Sequence, residues 1–196
     1  MRSFKADPYW AKPCLGYHVQ ARPNRATLSA LADLQHTIAA ASPVPLHLIP
    51  TAAMHVSVVT LISARADDRK KEAAWSKLSN SMVVELETMV REPLSISMTF
   101  RSLKFTSQAV IVSTDVQPAK FASLRSSFAA LLDDLNLPAS AYDQTHVTIS
   151  RFAEDTQVQE HTIAAIEQSF VELSAEFDEL LFVRERQYPS LLIDRL

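Results

Sequence analysis

The stretch Gln144-Thr145-His146-Val147-Thr148-Ile149-Ser150-Arg151-Phe152 decides the fold, because an earlier one, Met54-His55-Val56-Ser57-Val58-Val59-Thr60-Leu61, has the same form. Both are rich in β-branched residues and read as buried strands. Within them His55-Val56-Ser57-Val58 and His146-Val147-Thr148-Ile149 share the pattern His-x-[Ser/Thr]-apolar, 91 residues apart. Side chains at i and i+2 of a strand share a face, so His55 pairs with Ser57 and His146 with Thr148. The intervening Val and Ile residues point to the packed side. A single copy of so short a pattern is a weak signal.

Working outward, each copy closes a similar unit. Leu15 to Ala21 reads as a strand, and Pro23-Asn24 opens a helix to about Ala41 with Leu28, Leu31, Leu34 and Ile38 on one face. A proline-rich loop, 42–51, then leads to the first motif strand. In the second half, Leu94 to Phe100 and Gln108 to Thr114 read as strands, with a hairpin across Leu103 to Ser107. A helix to about Leu135 follows, capped by Thr114 or Asp115 with Pro118 in its first turn. Helices are also expected over about 67–90 and 156–173, with closing strands at Glu176 to Arg186 and Pro189 to Arg195. The repeated order of strand, helix and His-bearing strand is the pattern of a divergent duplication, with 15–62 equivalent to 108–152 inside one domain spanning 1–196.

Composition restricts the chemistry. The 196 residues include one glycine, Gly16, and one cysteine, Cys14. Dinucleotide turns, phosphate loops and nucleophile elbows all need several positions without a Cβ, so none is available. A lone cysteine leaves no intramolecular disulfide, Cys-rich zinc site or C-x-x-C pair, and none of the six histidines shows a metal-binding spacing. No cofactor and no metal are therefore expected. The net charge of −3 argues against a binder of duplex DNA or other long nucleic acid through its phosphates. With no apolar leader and no stretch of spanning length, the chain reads by default as a cytoplasmic monomer without a membrane partner.

What remains is side-chain acid/base chemistry. If the two motif strands meet, two imidazoles with reference pKa near 6.5 can hold complementary protonation states near neutrality. The hydroxyls of Ser57 and Thr148 can donate to the non-bridging oxygens of a phosphodiester. On these two tetrapeptides and on the order of its elements the chain resembles the two-histidine (2H) phosphoesterases, which include the LigT-like RNA 2′,3′-cyclic phosphodiesterases. The resemblance implies an α+β, bilobal LigT-like fold: two pseudo-symmetric β-α-β halves, antiparallel sheets lining a central cleft, and helices outside. It implies hydrolysis of 2′,3′-cyclic phosphates or related 2′–5′ bonds on RNA ends or small nucleotides. His55 would then be the acid and His146 the base, roles that the near-symmetry of the motifs leaves interchangeable on the residues alone. A non-catalytic module binding a nucleotide or RNA end on the same fold is the alternative.

Ser57 departs from the threonine commoner in the LigT-like branch. Arg151 falls where that branch often has arginine, yet strand parity sets it opposite His146 unless the strand bends. By the same parity Phe152 joins His146 and Thr148. Tyr9, Trp10, Phe105, Tyr142, Phe152 and Tyr188 include candidates for stacking on a base. Arg101, Lys104, Arg184 and Arg186 are candidate phosphate contacts, the run Arg69-Lys70-Lys71 reads as a solvated face, and His18 on the first strand reads as structural, with a place at the cleft edge as the alternative.

Overall fold

The computed structural model describes residues 1–65, 71, 75–76, 80–91, 94–134, 142 and 144–196. Strand β1 (Arg2–Phe4) precedes β2 (Pro13–Pro23), helix α1 (Arg25–Ala41), β3 (Leu46–Leu48) and β4 (Val56–Ile62). Next come α2 (Asn80–Val90), β5 (Ile96–Phe100), β6 (Ser102–Phe105), β7 (Ala109–Thr114), α3 (Ala119–Asp134) and β8 (Thr145–Phe152). The chain closes with β9 (Thr156–Val158), α4 (Glu160–Gln168), β10 (Leu173–Gln187) and β11 (Leu192–Arg195).

Two antiparallel sheets carry the motifs. In the first the order is β11-β10-β2-β4, so the first motif strand lies at an edge. Strand β5 pairs the opening of β10; Phe177 faces both Pro23 of β2 and Ile96 of β5, which places β5 on the edge away from β2. The second sheet runs β3-β8-β7-β6. Both units thus fold as strand, helix and strand with an antiparallel pair, β2 with β4 and β7 with β8. The short β1 pairs β9 in a separate ribbon.

Several boundaries differ from the sequence reading. The hairpin is β6–β7, while β5 leaves for the other sheet, where the bent fifteen-residue β10 offers a free edge. Residues 156–158 form a strand before α4, because β1 supplies a partner for it. Thr114 does not cap α3; its hydroxyl donates to the Val116 carbonyl instead. Asn24 does cap α1, its side-chain oxygen accepting from the Thr27 amide at 2.9 Å. Leu31 and Ile38 of α1 are buried, with Leu28 and Leu34 packed against the core. Of the helix expected over 67–90, α2 forms its last part, and residues 66–70, 72–74 and 77–79 lie outside the described residues, as do the turn at 136–139 and Leu135. Lys71 is buried and donates to the Ala64 carbonyl at 3.1 Å, so that end of the basic run is no solvated face.

Candidate active site

The registers of the two motif strands share one break, and β4 slips once more beyond it, between Thr60 and Ile62. In β4, Ser57 pairs Gln20 and Val59 pairs Val19, so two residues of advance on β4 meet one on β2. In β8, Thr148 pairs Ile111 and Ser150 pairs Val110, the same slip at the same distance from the histidine. Each is a bulge that flips side-chain parity beyond it. Thr60 and Arg151 therefore return to the face of their histidines, while Val59 and Phe152 turn into the core. This corrects the parity expected from the sequence: Phe152 is fully buried, its ring 4.5 Å from that of Phe4.

The extra carbonyls find partners across the molecule. Gln35 of α1 donates to the Ile149 carbonyl in β8 and, at 2.8 Å, to Ile49 O. Reciprocally, Arg125 of α3 donates to the Ser57 carbonyl in β4 at 3.0 Å and to Thr145 Oγ1 at 3.2 Å. Each helix thus braces the motif strand of the other unit. An unmet buried carbonyl is costly; Arg125 meets that of Ser57, and the Ile49 amide, at 3.1 Å, shares that of Ile149 with Gln35.

His55, Ser57, His146 and Thr148 line one cavity of about 360 Å³, together with Thr60, Arg151, His18, Tyr142, Glu185 and Tyr188. The Nδ1 of His55 donates to the Ala53 carbonyl, two residues upstream, at 2.8 Å. The carbonyl of Gln144, again two residues upstream, supports the protonated form of His146, although Nδ1 there has no partner within hydrogen-bonding geometry. Burial is the main cause that lowers both imidazoles, His55 to about 4, and the Arg151 guanidinium lowers both further. The imidazole of His146 lowers that of His55 as well.

His18, read from its strand as structural, lines this site. Its ring stacks on that of His55, centroids 5.5 Å apart, and burial pushes its pKa down to about 3. Glu185 lies 3.9 Å from its Nδ1, and burial raises that carboxyl. Ser190 Oγ lies 3.5 Å from His18 Nε2, and its amide donates to Glu185 at 2.5 Å. The signal available was that His18 lies on the strand next to the motif.

Of the aromatic candidates, Tyr142 and Tyr188 line the cavity, and the Tyr142 hydroxyl bonds that of Thr60. Phe105 is core, Trp10 stacks on His47 with centroids 4.7 Å apart, and Tyr9 meets Tyr188 edge-on. The four candidate phosphate contacts lie outside the cavity: Arg101 pairs Glu172, Lys104 pairs Asp115, and Arg184 and Arg186 both pair Asp194. Among the described residues no group of three or more His, Cys, Asp or Glu is arranged to hold a metal ion. Nor is any described helix long and apolar enough to cross a membrane.

No protein-family model and no curated protein matches the sequence. Solved structures do match the fold. A Thermus thermophilus protein, TT0787, superposes with a TM-score of 0.62 at 12% identity, covering 92% of this chain and 94% of its own. Escherichia coli LigT complexed with 3′-AMP superposes with a TM-score of 0.59 at 12% identity, over 93% and 95% of the two chains. LigT complexed with phosphate gives 0.55 at 11% identity, over 94% and 95%. With mixed helices and antiparallel sheets aligned over nearly its whole length, the chain has the α+β fold of LigT and TT0787.

Proposed function

We propose that this protein is a phosphodiesterase that hydrolyses 2′,3′-cyclic phosphates or related 2′–5′ bonds of small nucleotides or RNA ends by acid/base catalysis between His55 and His146. The observation that carries the reading is that both His-x-[Ser/Thr] pairs line the same cavity. LigT, of the same fold, takes 3′-AMP and phosphate, which is in keeping with a nucleotide phosphate here.

In the reaction one imidazole takes a proton from water as its oxygen bonds to phosphorus. The other gives a proton to the ribose oxygen as the P–O bond breaks. The hydroxyls of Ser57 and Thr148 donate to the non-bridging oxygens, where charge grows in the transition state. Arg151, turned inward by the β8 bulge, adds a positive charge on the side of His146. Thr60 holds the matching place in β4 and carries none, so the charge is lopsided across an otherwise paired arrangement. We also read residues 1–196 as one bilobal domain with 15–62 and 108–152 equivalent; the matched bulges and the exchanged helix braces support that.

The test is a hydrolysis screen over nucleoside 2′,3′-cyclic phosphates and 2′–5′ dinucleotides, with and without EDTA. Activity should survive EDTA, and His55→Ala and His146→Ala should each lower kcat by about 10²- to 10⁴-fold. Full activity in either variant, or loss with EDTA, removes the mechanism. Binding without turnover on every substrate points to the nucleotide-binding module instead.

A further inference from the structure

One end of the cavity holds a charge cluster that the two motifs leave unused. Arg65 lies three residues past the end of β4 and lines the cavity. Its Nη2 donates to Asp7 Oδ2 at 2.8 Å and to the Tyr188 hydroxyl. Arg151 Nη1 meets the same Asp7 oxygen at 3.1 Å. The Asp7 side chain has no exposed surface, and its other oxygen accepts from the Tyr9 amide at 3.0 Å. One carboxylate therefore serves two guanidiniums directly, while Glu185, on which both charges also act, is pushed by burial toward its neutral form.

The two arginines sit at different depths. Arg151 is 15% exposed, its buried Nε has no partner, and its charge acts on both imidazoles. Arg65 is 35% exposed, and the charges of both arginines act on Glu185 and Tyr188. Between them stands the Tyr188 ring, 4.8 Å from the guanidinium of Arg65 and 5.5 Å from that of Arg151. A structural strut would be complete with one guanidinium per carboxylate. A second cation drawn into a half-buried wall costs desolvation unless an anion joins it. With Gly16 the sole glycine, the chain has no glycine-rich loop of bare backbone amides for a further phosphate.

We propose that Arg65, held by Asp7 and Tyr188, is a second-phosphate subsite beside the scissile one, so that the preferred substrate is a nucleotide carrying a further phosphate. The inference rests on the phosphodiesterase reading above. Arg65 suits this role because Asp7 and Tyr188 hold its Nη2, whereas its Nη1 makes only a long, exposed contact of 3.4 Å to Gln108 Oε1 that a phosphate oxygen can replace.

Three substrates test it: a nucleoside 2′,3′-cyclic phosphate with a free 5′-hydroxyl, the same nucleotide with a 5′-phosphate, and a dinucleotide ending in a 2′,3′-cyclic phosphate. The wild type should favour the phosphate-bearing forms by about tenfold in kcat/KM, as expected for one charged hydrogen-bonding contact, and added salt should shrink that ratio. Preference for the 5′-monophosphate alone marks a terminal phosphate as the ligand; preference for the dinucleotide as well marks a chain phosphate. Arg65→Gln should bring the ratio close to one, and Arg65→Lys should keep part of it. Equal rates on all three in the wild type, or an unchanged ratio in Arg65→Gln, overturns the subsite. If the wild type hydrolyses none of them, the phosphodiesterase reading fails first. Calorimetric titration with a nucleoside 3′,5′-bisphosphate and a 3′-monophosphate then decides the subsite: tighter binding of the bisphosphate, lost in Arg65→Gln, upholds it, and equal binding rejects it.

Discussion

His55 and His146 are alike in kind and unlike in setting. The Nδ1 of His55 is fixed on the Ala53 carbonyl, whereas that of His146 has no partner within hydrogen-bonding geometry. Both are held below the usual histidine value by burial, His55 at about 4, with Arg151 adding to the effect. Productive chemistry needs one imidazole protonated and the other neutral, a state that is most abundant between the two macroscopic pKa values of the pair. Since both values are lowered, the bell-shaped profile of kcat/KM, which reports the free enzyme, should centre on the acid side of about 6.5. Arg151→Met removes one of the lowering charges and should move the profile toward neutrality while reducing its height. Initial rates across the acid and neutral range test both points. A wild-type optimum at or above pH 7 would show that the imidazoles are not held neutral in this way.

At the scale of elements, alternation within eight-residue runs was enough to find both motif strands and to pair each histidine with its hydroxyl. The bulges were not legible, because Val58-Val59 and Ile149-Ser150 are adjacent buried residues that read as an ordinary strand interior. The groups that meet the carbonyls at each bulge come from distant segments, Arg125 on α3 for β4, and Gln35 on α1 with the Ile49 amide for β8. Beyond the β8 bulge Arg151 and Phe152 exchange faces. The segment after β4 depends on a second long-range fit, since a Cβ at Gly16 would lie 3.0 Å from the Ala64 amide nitrogen and 3.1 Å from its Cβ. Lys71 grips the Ala64 carbonyl from the other side. The sole glycine thus makes room for the peptide that carries Arg65. Gly16→Ala should cost about 1–3 kcal/mol, the usual range for overpacking a filled site, because backbone atoms rather than a flexible side chain stand in the way. Denaturant unfolding measures that loss; a variant as stable as the wild type would mean that the Ala64 peptide yields freely.

The whole molecule joins what the sequence lists separately. Strand β3 of the first unit pairs β8 of the second, and the late β10 forms the middle of the first unit's sheet. Such pairings leave no local trace, which is why the cleft-facing His18, Glu185 and Ser190 were not found from periodicity. They place three histidines with depressed pKa values around one cavity, and that arrangement sets how stability depends on pH. Below about 6.5 the unfolded chain protonates these residues while the folded chain keeps them neutral, His18 down to about 3 and His55 to about 4. The unfolded state then binds more protons, so stability falls as the pH falls, by about 1.4 kcal/mol per pH unit for each proton of difference. Glu185 acts in the opposite sense: its raised pKa lets the folded state keep a proton that the unfolded chain has lost, which offsets part of the slope. His18→Gln isolates one histidine, since its neighbours are Glu185, Ser190 and the ring of His55. The stability of the wild type minus that of the variant, from urea unfolding at a series of pH values below about 6.5, should decline by close to one proton's worth per unit. Parallel curves for the two proteins would mean that His18 is not kept neutral by its burial.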